Sequence, residues 1–162
     1  MRALRGLLWV LVAVAVLAGG VALAARLSDG PLAAFAGGPF RSGERVAGPV
    51  DWSFATDLDT IQFQLLAPPR SRTTWILVHE GHAYIPCGLP SLRIWKRWPH
   101  EALLDGRAIL RAQGRLYPIR LVKVEDAPTF QALSEVLQAK YGGVPGEANP
   151  DGLWFFRVDP RG

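Results

Sequence analysis

The hydrophobic pattern of this chain changes character several times along its length. From Leu7 to Ala25 it is one apolar run of 19 residues without a charge, and nothing else in the chain is as apolar. At ~1.5 Å of rise per residue, a helix of that length nearly crosses a hydrocarbon core of about 30 Å. Residues 27–49 (LSDGPLAAFAGGPFRSGERVAGP) turn to Gly, Pro and Ala with no sustained period, which predicts a semi-extended tether. From Val50 onward short β-type runs take over, and one helical period follows nearer the C-terminal end.

The β-type runs can be placed in turn. Trp52–Thr56 and Thr60–Leu66 are rich in strand formers, with Asp57-Leu58-Asp59 as a turn-like break between them and Pro68-Pro69 ending the second. The clearest hairpin runs from Thr73 to His79, turns at Glu80-Gly81 and returns from His82 to Cys87. That register pairs 79 with 82, 77 with 84 and 75 with 86. One face then carries Ile76, Val78, Ala83, Ile85 and Cys87 and is a core face. The other carries Trp75, Leu77, His79, His82 and Tyr84, an amphipathic face suited to a groove, a subunit contact or lipid headgroups.

Beyond Pro90 lies a basic and aromatic segment, Arg93-Ile94-Trp95-Lys96-Arg97-Trp98. Pro99 can open a short helix through Leu104, ended by Asp105-Gly106. A second hairpin runs from Arg107 to Ala112 and, past Gln113-Gly114, from Arg115 to Val124. A two-residue loop does not separate its polar and apolar faces, so a bulge or a longer turn is expected there. Asp126 can cap a helix over residues 127–141, with Phe130, Leu133, Leu137 and Tyr141 on one stripe and Gly142-Gly143 as the stop. Gly142 to Gly152 reads as a loop and Leu153 to Val158 as a last strand. Six to seven short strands and one long helix predict a mainly β (α+β) barrel behind an N-terminal apolar helix.

Composition adds the compartment. All 14 acidic residues and 16 of the 18 Lys and Arg follow the apolar run, so the remainder is nearly balanced at +2, too little for a nucleic-acid footprint. Cys87 is the only cysteine, so no intrachain disulfide can form. Arg2 and Arg5 ahead of the run favour a cytoplasmic N-terminus, with the domain from about residue 50 on the far side of a cytoplasmic membrane. Two readings of the leader compete. An anchor uses the whole stretch and stops at Arg26; a cleaved signal peptide breaks at Gly19-Gly20 and offers Ala22-Leu23-Ala24 to a peptidase.

Three stretches are similar to one known family. SRTTWILVHEGHAYIPCG resembles a strand, acidic-Gly turn and Tyr-containing return strand; KRWPHEALLDGRAILR resembles a basic residue, short helix and next strand; GRLYPIRLVKVEDAPTFQALSEVLQAKYG resembles the return strand that leads into a long helix. Over about residues 50–159 this order looks like the FMN-binding split-barrel proteins, which include pyridoxamine-phosphate oxidase-like and deazaflavin-dependent nitroreductase-like members. The resemblance implies a split barrel and an FMN or deazaflavin cofactor whose phosphate is held by Arg72, Thr73 and Thr74 and by Lys96 and Arg97. Forked guanidinium and hydroxyl donors suit a phosphate dianion. Tyr84 to Gly88, including Cys87, would line the ring system. Members often carry hydroxyl residues after the aromatic strand, where this chain has Pro86-Cys87-Gly88.

Each candidate has a plainer reading beside it. Arg72, Lys96, Arg97, Arg107 and Arg111 form an anion-binding patch, or are solvated strand ends and salt-bridge partners. His79 and His82 flank a turn without metal-site spacing and read as exposed histidines; no metal is expected. Cys87 is a nucleophile or a small buried thiol. Trp52, Trp75, Trp95, Trp98 and Trp154 stack on a planar ligand or anchor the core. No phosphate-cradling Gly loop, Ser-His-Asp order or carboxylate pair occurs, and no catalytic residue can be named. Two functions remain open. One is a membrane-tethered flavin- or deazaflavin-binding oxidoreductase-like protein. The other is a non-catalytic membrane-anchored accessory domain that binds a partner protein or an envelope component through its Trp-rich face; for either, the partners expected are the membrane and a second copy of the chain or a membrane protein.

Overall fold

A computed structural model describes residues 2–32, 35–93, 96–143 and 149–161. The apolar run forms helix α1 (Arg2–Leu27). It is followed by strands β1 (Glu44–Arg45), β2 (Thr60–Leu66), β3 (Pro69–Trp75), β4 (Leu77–His79) and β5 (His82–Gly88), then helix α2 (Trp98–Leu104). Strands β6 (Arg107–Ala112) and β7 (Arg115–Lys123), helix α3 (Ala127–Tyr141) and strand β8 (Leu153–Pro160) complete the chain.

The sheet order is β3-β2-β6-β7-β8-β5-β4, antiparallel at every step, with β1 added parallel to β7. The strands at the two ends of that order are consecutive in the chain, joined at Ile76, so the sheet curls into a barrel. Below Ile76, β3 pairs with β2 alone and β5 with β8, and the barrel is split between them. Inside lie Trp52, Phe63, Leu65, Ile85, Leu110, Ile119 and Phe156, with Trp98 of α2 packed edge-on against Phe63 at 5.0 Å.

Several expectations need correction. Trp52–Thr56 is not a strand: Trp52–Ala55 is a 3-10 turn, because the Asp51 carboxylate accepts the Ser53 N–H at 2.9 Å and caps it. The first hairpin pairs His79 with His82 and Leu77 with Tyr84, but Trp75 lies opposite Thr60, not residue 86. The strand breaks at Ile76 because α3 takes its backbone groups. The Tyr141 hydroxyl accepts the Ile76 N–H at 3.3 Å, and Lys140 Nζ donates to the Ile76 carbonyl at 3.1 Å.

The face of Trp75, Leu77 and Tyr84 is not an open docking surface. Leu133 and Leu137 of α3 cover it together with Phe155, and Trp75 stacks on Tyr141 at 4.5 Å. The second hairpin needs no bulge. Gln113 and Gly114 both take positive φ (49° and 75°) and close a two-residue turn with Ala112 opposite Arg115. Its outer face mixes Arg111 with buried Leu116 because the chain after α1 covers it, not solvent.

That covering segment is the stretch read above as a tether. Gly37 pairs with Ser71, the Ser71 hydroxyl donates to the Gly38 carbonyl at 2.6 Å, and the Phe40 N–H donates to Gln64 Oε1 at 2.6 Å. Helix α3 spans 127–141 as its period predicts, between the Asp126 cap and Gly142 at φ 73°.

Candidate functional site

At the split, the chain brings together residues that are far apart in sequence. Strand alternation points Arg72 and Thr74 inward from β3, opposite Phe63 and Ile61 of the core. Cys87 points inward from β5 and is buried. Lys96, arriving from the loop before α2, donates its ammonium to the Gly88 carbonyl. Glu101 approaches from α2 and is the main opposite charge acting on Arg72.

The Arg72 guanidinium is the unusual group. It lies 5.7 Å from the Phe63 ring centre, and burial lowers its pKa to about 10, with Glu101 pulling the other way. Its Nη1 is fully buried and without a hydrogen-bond partner among the described residues, as is Glu101 Oε2, and no ion pair joins the two. A buried N–H donor left unmade costs more than a made bond returns, so Arg72 is suited to an acceptor oxygen placed in the split. Burial also pushes the Cys87 thiol up to about 11, against the pull of Lys96 and Arg72. At neutral pH it is a protonated, apolar wall rather than a thiolate.

The other candidates lie elsewhere. Thr73 alternates to the outer face and lines a cleft of about 680 Å³ with Gln62, Asp29 and Arg111. Tyr84 sits beneath α3. Arg97 opens with Arg93, His100 and Glu101 onto a cleft of about 560 Å³ beside α2. Of the wider basic set, Arg107 is paired with Asp105 at 2.8 Å and Arg111 with Asp29 at 3.0 Å, so these two are salt-bridge partners.

The tryptophans also have protein partners. Trp52 packs on Tyr117, Trp98 on Phe63 and Phe156, Trp75 on Tyr141, and Trp154 beside His100 with Lys123 Nζ 4.5 Å over its ring. Ile94 and Trp95 lie outside the described residues. Glu101 escaped sequence reading because a Glu in a helix's first turn is ordinary, and only the position of α2 over the split gives it Arg72 as a neighbour.

Fold and site together define a split β-barrel domain behind an apolar N-terminal helix long enough to cross a membrane. No protein-family model matches the chain, and no curated protein does. Two solved structures are similar in chain path. One is a pyridoxamine 5'-phosphate oxidase-like protein from Listeria innocua, 13% identical, covering 68% of this chain and 90% of its own, with a TM-score of 0.48. The other is an F420 reductase, 11% identical, covering 71% of this chain and 97% of its own, with a TM-score of 0.42. At such identities cofactor and activity do not carry over with the chain path.

Proposed function

We propose that the protein is a membrane-tethered, oxidoreductase-like split-barrel domain that binds an FMN or deazaflavin cofactor at the split. The observation that carries this reading is the convergence of Arg72, Cys87, Gly88 and Lys96 from three separate parts of the chain, with a buried guanidinium N–H free to donate. Arg72 would hold a phosphate oxygen, with the Thr74 hydroxyl on the same face and Lys96 exchanging the Gly88 carbonyl for the anion. The apolar wall of Cys87 and the Gly88 backbone would exclude water from one side of the ring system. When bound, the cofactor supplies the hydride chemistry.

A second reading, the non-catalytic accessory domain, is favoured by one observation. Arg72 Nη1 and Glu101 Oε2 are a buried donor and a buried acceptor, each without a partner among the described residues, so water donating to one and accepting from the other would complete the site without any ligand. One titration separates the two. The full chain, purified in detergent, is examined for a visible chromophore and titrated with FMN and a deazaflavin. The cofactor reading expects binding that weakens roughly tenfold to a hundredfold in Arg72→Met, as for loss of a charged hydrogen bond, and is little changed in Thr73→Ala on the outer face. No binding at high micromolar concentration supports the accessory reading. Tight binding that survives both Arg72→Met and Lys96→Ala refutes the site.

A further inference from the structure

The domain does not expose its large apolar side chains at random. Beyond α1, those left exposed among the described residues are Leu32, Phe35, Leu89, Leu92, Leu103 and Leu104. Leu32 and Phe35 pair in the turn that follows α1. The remaining four cluster between residues 89 and 104, and Leu104 is 91% exposed at the end of α2. Single exposed leucines are ordinary, but a cluster on one short segment marks a contact surface.

The register places this cluster at a known end of the barrel. Antiparallel pairing brings the last residue of β5, Gly88, and the first residues of β3 and β6, Pro69 and Arg107, to the same end. The chain leaving α1 enters from that side. The carbonyl of buried Ala25 accepts the Gly38 N–H at 3.0 Å, at the level of Ser71, the third residue of β3. Four residues on, Asp29 is held by Arg111, level with Thr73 and so two residues further from that end. Helix α1 and the leucine cluster therefore share one end of the domain.

Charge completes the surface. Arg93 and Arg97 line the cleft beside α2 with Leu104, His100 and Glu101, neither arginine is in an ion pair among the described residues, and Asp105 is occupied by Arg107. Apolar side chains flanked by unpaired guanidinium groups match the headgroup zone of an acidic bilayer. We propose that this end is a second membrane contact: Leu92, Leu103 and Leu104 enter the interface and Arg93 and Arg97 meet acidic headgroups, so that the cleft beside α2 faces the bilayer. The proposal rests on the membrane-tether reading of α1 and is tested apart from it.

The test uses the full chain in a Cys87→Ser background, reconstituted in phosphatidylcholine vesicles with roughly a quarter phosphatidylglycerol. A bimane label is placed singly by Leu104→Cys, by Glu80→Cys at the opposite end, or by Leu17→Cys in α1. Lipids carry a nitroxide either near the headgroup or near the chain end. The shallow nitroxide is expected to quench the label at 104 roughly twofold or more beyond that at 80. Arg93→Glu with Arg97→Glu should lower quenching at 104 to its value in pure phosphatidylcholine. Equal quenching at 104 and 80 overturns the proposal, whatever residue 17 reports. A disulfide-linked 104–104 dimer that stays unquenched also overturns it, by assigning the leucines to a second copy. Failure of the deep nitroxide to quench residue 17, with 104 still quenched, refutes the spanning helix and leaves the second contact standing.

Discussion

Burial gives Cys87 its chemistry. The thiolate would lose its hydration inside the barrel, and this outweighs the attraction of Lys96 and Arg72, so the pKa rises from 9.0 to about 11. The folded state thus holds this proton more tightly than the unfolded chain does. Its contribution to stability is complete below about pH 9 and is lost as pH rises through about 11, in all about 2–3 kcal/mol. Chemical unfolding in detergent between about pH 8 and about pH 11 should therefore show a steeper alkaline loss for the wild type than for Cys87→Ala. Identical pH profiles would sink the assignment. The same alternation that buries Cys87 separates Arg72 from Thr73: both are polar neighbours in the sequence, yet one looks into the split and the other into a cleft on the outer face.

At the scale of elements, α3 was readable to its ends because its signals are local. Asp126 accepts the Thr129 N–H at 2.9 Å, which also holds its carboxyl below the usual range, and Gly142 closes the helix in the left-handed region. A Cβ at Gly142 would meet nothing within 4 Å, so substitution there tests backbone conformation alone. Gly142→Ala should cost about 1 kcal/mol of unfolding free energy, and Gly142→Asn clearly less. Equal losses in the two variants would argue against the left-handed cap. The break at Ile76 was not readable, because an unbroken β-type run from Thr73 to His79 contains no local stop. Tyr141, 65 residues away, makes the interruption by taking over the backbone there.

For the whole molecule, the decisive feature is the docking of residues 28–32 and 35–46 onto the barrel. Arg111 gathers it in: Nη1 and Nη2 donate to Asp29 Oδ1 and to the Asp29 carbonyl at 3.0 Å each, Nε donates to Gln62 at 2.8 Å, and the guanidinium lies 4.2 Å from the Phe40 ring centre. The Ser42 hydroxyl, the Arg41 N–H and Arg111 hold the Asp29 carboxyl at about 2, so the clamp stays charged throughout the physiological range. Arg111→Ala removes the donors that tie Asp29 and Gln62 to each other across the barrel surface, leaving Asp29 only its local Ser42 and Arg41 donors. It should raise the rate of tryptic cleavage after Arg41 and Arg45 severalfold in membrane-reconstituted protein, read by mass spectrometry, while cleavage after Arg93 is unchanged. Equal rates at Arg41 and Arg45 in both proteins would show that Arg111 does not secure this segment.

Local pattern was enough for the apolar helix, the positions of most strands, the helix over 127–141 and the barrel class, since hydrophobic period, turn residues and caps act over a few neighbouring positions. The family resemblance pointed to Arg72, Thr74, Cys87, Gly88 and Lys96, but as one set with Thr73, Tyr84 and Arg97. Only the tertiary structure sorted that set. The run of β3 into β4 at Ile76 joins the two ends of the sheet beside the split, α3 covers Tyr84, and Thr73 looks into an outer cleft walled by Asp29 of the chain after α1. A side chain's neighbours across a barrel are set by pairings tens of residues apart, and no local pattern encodes which of its two faces will be covered.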